Sequence, residues 1–297
     1  MQKGPSAEDH LREGWTRAFR NLSELSGRRK SATLAALLIM AYAIVQKELV
    51  VPEVEQLQRA FRVSPELTRL DAQTAANDAY GILLRGVEPG QANALRDALL
   101  RESVETELVE ESKLPVIPPA RIVQQVEFHA SHVTLYDPMR RAAEVAWRDI
   151  VFIAAGYVRM SEVRRRRSAL DEAGIHSAGI GQDTSGTSQS LEQEHIHMVL
   201  EIFASGGMRY TLSADEFVFD HLGARLSDDL AMNFVSLVQD LAREAPHAGL
   251  NRGAFKACQQ PPELFPYPSK AAFNEELTWM LWRIAKLALE QSTQARG

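Results

Sequence analysis

The chain has 297 residues, 45% of them apolar and 24% charged, with 39 acidic against 33 basic side chains and a net charge of −6. These figures exclude global disorder and a protein that coats nucleic acid non-specifically, and they suit one large or two modest domains. The single cysteine, Cys258, rules out an internal disulfide framework and fits a reducing compartment; the first 30 residues are charged and hold no signal-peptide core, so a soluble cytoplasmic protein is expected.

Taken in order, Ser6 to Ser26 predicts a first helix, with Leu11, Trp15, Ala18, Leu22 and Leu25 as a narrow apolar seam that packs on another helix or on a partner. Ser31 to Leu49 is the most apolar stretch and predicts a central core helix. Its apolar run of about 14 residues falls short of the roughly 20 needed to cross a bilayer. Two further helices are expected over Pro52 to Phe61 and Ser64 to Leu84, the second with Ser64 as cap and Pro65 in its first turn. The spacing of this pair resembles a helix-turn-helix, but the second helix carries a mixed Glu66, Arg69, Asp71 face, not a basic one. Another helix is expected over Gly90 to Arg101.

Glu102 to Lys113 holds five glutamates and one lysine and reads as a solvated helix end or connector. The prolines of Leu114 to Pro119 break regular structure and mark a boundary between a helical region, 1–113, and a second mainly helical region, 120–297. Arg121 to Tyr136 is ambiguous, with a short extended element favoured. Asp137-Pro138 predicts a helix start, and Ala142, Val145, Ala146, Ile150 and Ile153 share one helical face. From Ile150 to Val158 the chain is apolar all round, so a buried helix is expected there. It emerges at Arg164, Arg165, Arg166 and Arg167, which cannot be buried together, and a Gly- and Ser-rich flexible loop or linker follows at 175–190.

Glu194 to Phe203 alternates Ile196, Met198, Leu200 and Ile202 onto one face, and Gly206-Gly207 and MRYTL follow, so a small β-hairpin is expected in this half. Helices are then predicted from Ser213, from Ser227 to Arg243 and from Ser269 to Gln291, the last carrying Trp279 and Trp282 beyond its apolar stripe; Pro246 to Tyr267 is loop-rich. The expected fold is mainly α: a multi-helix, bundle-like protein with one small β-hairpin in the C-terminal half.

Function is less legible. No nucleophile elbow, phosphate loop or zinc-protease motif occurs, no catalytic residue is assigned and no cofactor is expected. His195 and His197 have a spacing that metal sites use, and His129 and His132 could join them, but no ligand set is complete. The leading expectation is a non-enzymatic interaction or assembly protein, self-associating or bound to a protein partner, with Trp279 and Trp282 as candidate contacts. The alternatives are a nucleic-acid-associated regulator using Arg164 to Arg167 and a metal-dependent enzyme using the paired histidines.

Overall fold

The computed structural model describes residues 41–164 and 191–294. The expected first helix and its Trp15 seam, residues 31–40, Arg165 to Arg167 and the loop at 175–190 lie outside the described residues.

The chain is not a helical bundle. Among the described residues it forms twelve strands in three sheets, together with six α-helices. The first sheet has the order β2 (Ile82–Val87), β1 (Tyr42–Gln46), β3 (Thr106–Glu110), with β1 antiparallel to both neighbours. Helices α1 (Val54–Phe61) and α2 (Arg69–Asp78) join β1 to β2, and α3 (Pro89–Arg101) joins β2 to β3. Ile44 points to these helices, whereas Ala43 and Val45 point to the other face, so β1 is apolar on both sides. That is why Tyr42 to Val45 passes for the end of an apolar helix in the sequence: a strand buried on both faces has no alternation to betray it. The acidic segment expected as a helix end supplies β3 and a 3₁₀ turn, Glu111–Lys113. β3 is an edge strand with Glu107 and Glu110, and charge on an edge discourages pairing with other chains.

The large sheet runs β11 (Gly249–Leu250), β8 (Ile150–Arg164), β9 (Leu191–Ala204), β10 (Met208–Ser213), β4 (Ala120–Ile122), with β12 (Pro266–Tyr267) also pairing β8. The third sheet is the meander β5 (Gln125–Phe128), β6 (His132–Tyr136), β7 (Ala142–Ala146). The expected central helix is therefore replaced by β7 and β8. Its apolar run fits a strand covered on both faces: Ile150, Ile153 and Ala155 join one core, and Val151, Phe152, Ala154 and Val158 join another. β-Branched Ile150, Val151, Ile153 and Val158 suit that pleated surface better than a helix interior. The hairpin expected over 194–212 is present as β9 and β10, turning through Gly206 and Gly207, both at positive φ.

Three helices complete the second half: α4 (Leu230–Glu244), α5 (Arg252–Ala257) and α6 (Lys270–Gln294). The cap of α4 is Asp229, whose carboxylate accepts from the Ala231 amide at 2.9 Å, two residues later than the expected Ser227. The helix expected from Ser213 is replaced by two short 3₁₀ segments, Ala214–Glu216 and Asp220–Arg225. α6 is the layer between the sheets. Phe273 and Leu277, both fully buried, face the large sheet, while Trp279 and Trp282 face the first. Burying a side chain such as Phe273 contributes about 1.5–3 kcal/mol. The order of layers is thus α1 to α3, first sheet, α6, large sheet, and then the third sheet with α4 and α5.

The clamp between β8 and the last third of the chain is a buried amide. Asn251 Oδ1 accepts from the Ala155 and Ala254 amides at 2.9 and 2.8 Å, and Nδ2 donates to the Ala155 carbonyl at 3.0 Å and the Tyr267 hydroxyl at 2.9 Å. Its side chain continues the β11–β8 ladder in place of a strand backbone. Tyr267 donates to Glu276 at 2.7 Å, and the Arg252 amide donates to the other Glu276 oxygen at 2.9 Å. Burial pushes the Glu276 carboxyl up, against these hydrogen bonds, and pushes the Tyr267 phenol well up.

Candidate functional site

One strand changes partners halfway. Through β4 the chain pairs with β10, Tyr210 opposite Arg121, and the Val123 amide still donates to Thr211 O at 2.8 Å. From Gln124, whose amide donates to Tyr136 O at 2.8 Å, it pairs with β6. The two sheets therefore part at Val123-Gln124, and the end of the β6–β7 hairpin overhangs β4 without pairing to it. The wedge between them is a cleft of about 700 Å³. Ile122, Leu135, Ala142, Ala143 and Tyr210 give it apolar walls, and Met139 stands at its mouth. Met139 and Ile122 are 74% and 55% exposed, high values for side chains of that size.

The overhang is held by its own turn. Asp137 Oδ1 accepts from the Met139 and Arg141 amides, each at 2.9 Å, and Oδ2 accepts from the Arg141 guanidinium at 2.6 Å. The hydrogen bond from the Arg141 amide, with those from the Arg141 guanidinium and the Met139 amide, holds the Asp137 carboxyl below its ordinary range. Arg140 takes the positive φ, 59°, that closes the turn. Asp137-Pro138, read in the sequence as a helix start, uses the same amide-capping chemistry to make a hairpin.

The sequence-derived candidates fall elsewhere. Trp279 and Trp282 are 7% and 8% exposed against the first sheet, and Trp279 Nε1 donates to Gln46 O at 2.7 Å, so this chain itself covers them. Arg164 ends β8 opposite Leu191; Arg165, Arg166 and Arg167 lie outside the described residues. From Arg159 opposite Ile196 to Arg164 opposite Leu191, β8 and β9 form a ribbon six pairs long, about 20 Å at 3.4 Å per residue. His195 and His197 share β9, with ring centroids 6.3 Å apart, and His197 Nδ1 lies 3.1 Å from Asp215 Oδ2. His129 stacks on His132 at 4.4 Å. Among the described residues no three His, Cys, Asp or Glu side chains stand together as a metal-binding group. His197 Nε2 and Ser213 Oγ are both buried without a partner, so the serine–histidine link of a nucleophilic triad is not made. Cys258 is half-buried, and burial raises its thiol pKa, the wrong direction for a nucleophile.

No family model matches the chain, and no curated protein or solved structure matches it either. Among the described residues no helix is long and apolar enough to cross a membrane. The residues of the cleft escape a reading of the sequence because they come from four strands. Ile122 and Met139 carry no motif, and only the change of partners at Val123-Gln124 brings them together.

Proposed function

We propose that this chain acts by binding another protein, and that it receives an apolar anchor side chain of that partner in the cleft between β4 and the β6–β7 hairpin. The observation that supports this reading is the cleft itself: a preformed apolar recess with Ile122 and Met139 exposed at its mouth. Partners commonly bind through a few apolar or aromatic anchors seated in such recesses, and a volume of this size accepts a large side chain with room for its neighbours. The partner is a different protein or a second copy of the chain, as in an assembly.

The nucleic-acid alternative draws little from the ribbon. Over its six pairs Arg159 and Arg164 are outnumbered by Glu162, Glu192 and Glu194, so that stretch is no cationic stripe.

The test places a photo-crosslinking residue at Met139 in cells that make the protein. A discrete crosslinked species is expected, and Ala142→Trp, which fills the cleft from an exposed position, should remove it. Crosslinking that persists in Ala142→Trp, or the lack of any crosslinked species, overturns the proposal.

A further inference from the structure

We propose that the segment seated in the cleft is acidic: a short extended stretch of the partner with carboxylates on either side of its apolar anchor. This inference rests on the reading of the cleft given above and adds the chemistry of the partner.

The charges around the cleft carry the argument. Arg121 of β4 lines it, is exposed, and makes no ion pair among the described residues. Arg140, at the tip of the overhanging hairpin, is also exposed and also without an ion pair among the described residues. Arg141 lines the cleft beside them, 2.6 Å from Asp137. Asp137 is the one carboxylate among the lining residues, and its two oxygens are taken up by two amides and that guanidinium. Two arginines thus line an apolar recess with one carboxylate that is already engaged, and Arg140 adds a third cation next to Arg141 in the chain. The chain as a whole has a surplus of acids, 39 against 33, so this local excess of cations runs against its composition. Guanidinium groups at the mouth of an apolar site favour carboxylates at the ends of what enters.

The backbone adds a second element. The Val123 amide donates to β10, and peptide groups alternate sides along a strand, so the peptide groups of Ile122 face away from β10. An extended segment can pair with them while its anchor fills the recess, which is strand addition at a short free edge.

Fluorescence anisotropy on the full chain tests this with three labelled pentapeptides: Phe between pairs of Glu, Phe between pairs of Lys, and Gly between pairs of Glu. The first should bind at least about tenfold tighter than either other. Its binding should weaken as salt rises from about 0.1 to about 1 M, where the screening length falls from about 10 to about 3 Å. Arg121→Glu combined with Arg140→Glu changes two exposed side chains, so the fold should hold by circular dichroism while the preference for Glu over Lys disappears. If both Phe peptides bind equally and Ala142→Trp abolishes both, the acidic class is wrong and the cleft reading stands. If the Gly peptide binds as well as the acidic Phe peptide, or if no peptide binds, the anchor is not read and both proposals fall.

Discussion

Replacing Asn251 with alanine should be the most damaging single truncation of a polar side chain in this protein. The side chain is fully buried and makes four hydrogen bonds, to the Ala155 amide, the Ala155 carbonyl, the Ala254 amide and the Tyr267 hydroxyl. Tyr267 keeps Glu276 as a partner in the variant, so its loss is minor. The three backbone groups lose their partners. At about 1–3 kcal/mol for each buried group left unsatisfied, the cost is about 3–9 kcal/mol. A water entering the vacated space would bring the result toward the lower figure. Total stabilities of about 5–15 kcal/mol are usual, so the variant should sit near its unfolding midpoint without denaturant. Urea titration followed by tryptophan fluorescence measures the difference, and amide exchange over residues 150–158 should rise as the ladder to Asn251 is lost. Asn251→Asp retains the acceptor but sets an oxygen against the Ala155 carbonyl, so it should rescue little. A loss below about 1 kcal/mol for Asn251→Ala, or full rescue by Asn251→Asp, would refute the assignment of this side chain as a surrogate strand.

The remaining expectations are simpler to check. Gly253→Ala sets its Cβ 1.9 Å from the Ala155 carbonyl oxygen, so α5 must move away from β8; a lowered melting temperature is expected, and an unchanged one contradicts the close approach. Gly81→Ala meets two penalties, a φ of +92° and a Cβ 2.3 Å from Trp279 Cγ, and should lower the melting temperature and shift tryptophan emission. His221 stacks on Phe128 at 5.4 Å with both ring nitrogens buried and unpartnered, and burial holds its pKa below the ordinary value, against Asp240 and Asp220 and with Arg225. The unfolded chain therefore binds the proton more readily. Stability is unaffected by this group above about pH 6.5 and is lost as pH falls from there toward the lower folded value, with a slope of at most about 1.4 kcal/mol per pH unit. His221→Phe should flatten that window; an identical pH profile for both proteins would show that His221 takes up its proton in place. For Asp240 burial alone would raise the pKa, but Arg225 and Arg243 outweigh it and the carboxyl is lowered, so its contribution is lost only at more acid pH, as the medium falls below the ordinary carboxylate value. Arg225→Ala should lessen that acid-side loss, with Arg243 still bonding Asp240, and should also narrow the His221 window, because Arg225 helps hold the His221 pKa down.

Local chemistry was legible where it is local. The β9–β10 hairpin announces itself through the alternation of Ile196, Met198, Leu200 and Ile202 and the glycines that follow, because the turn requires positive φ, although Val199 and Phe203 on the other face of β9 are buried too. The last helix is likewise legible: Phe273, Leu277, Leu281 and Ile284 recur at helical spacing, and Ser269 accepts from the Ala272 amide at 3.0 Å as its cap. β8 was not legible. A strand buried on both faces and a helix buried on all faces both appear as an unbroken apolar run, and only partners distant in sequence, such as Val199 against Gly156, decide between them.

Composition and pattern alone therefore determined that the chain has a real core, where several of its turns fall, and which segments must be apolar on at least one side. Only the tertiary structure decided which apolar runs become strands, that α6 lies between two sheets with Trp279 and Trp282 inside, and that Ile122, Met139 and Ala142 meet around a cleft. Periodicity records how many faces of a segment are covered, whereas the identity of what covers them depends on contacts across the chain that no window of sequence contains.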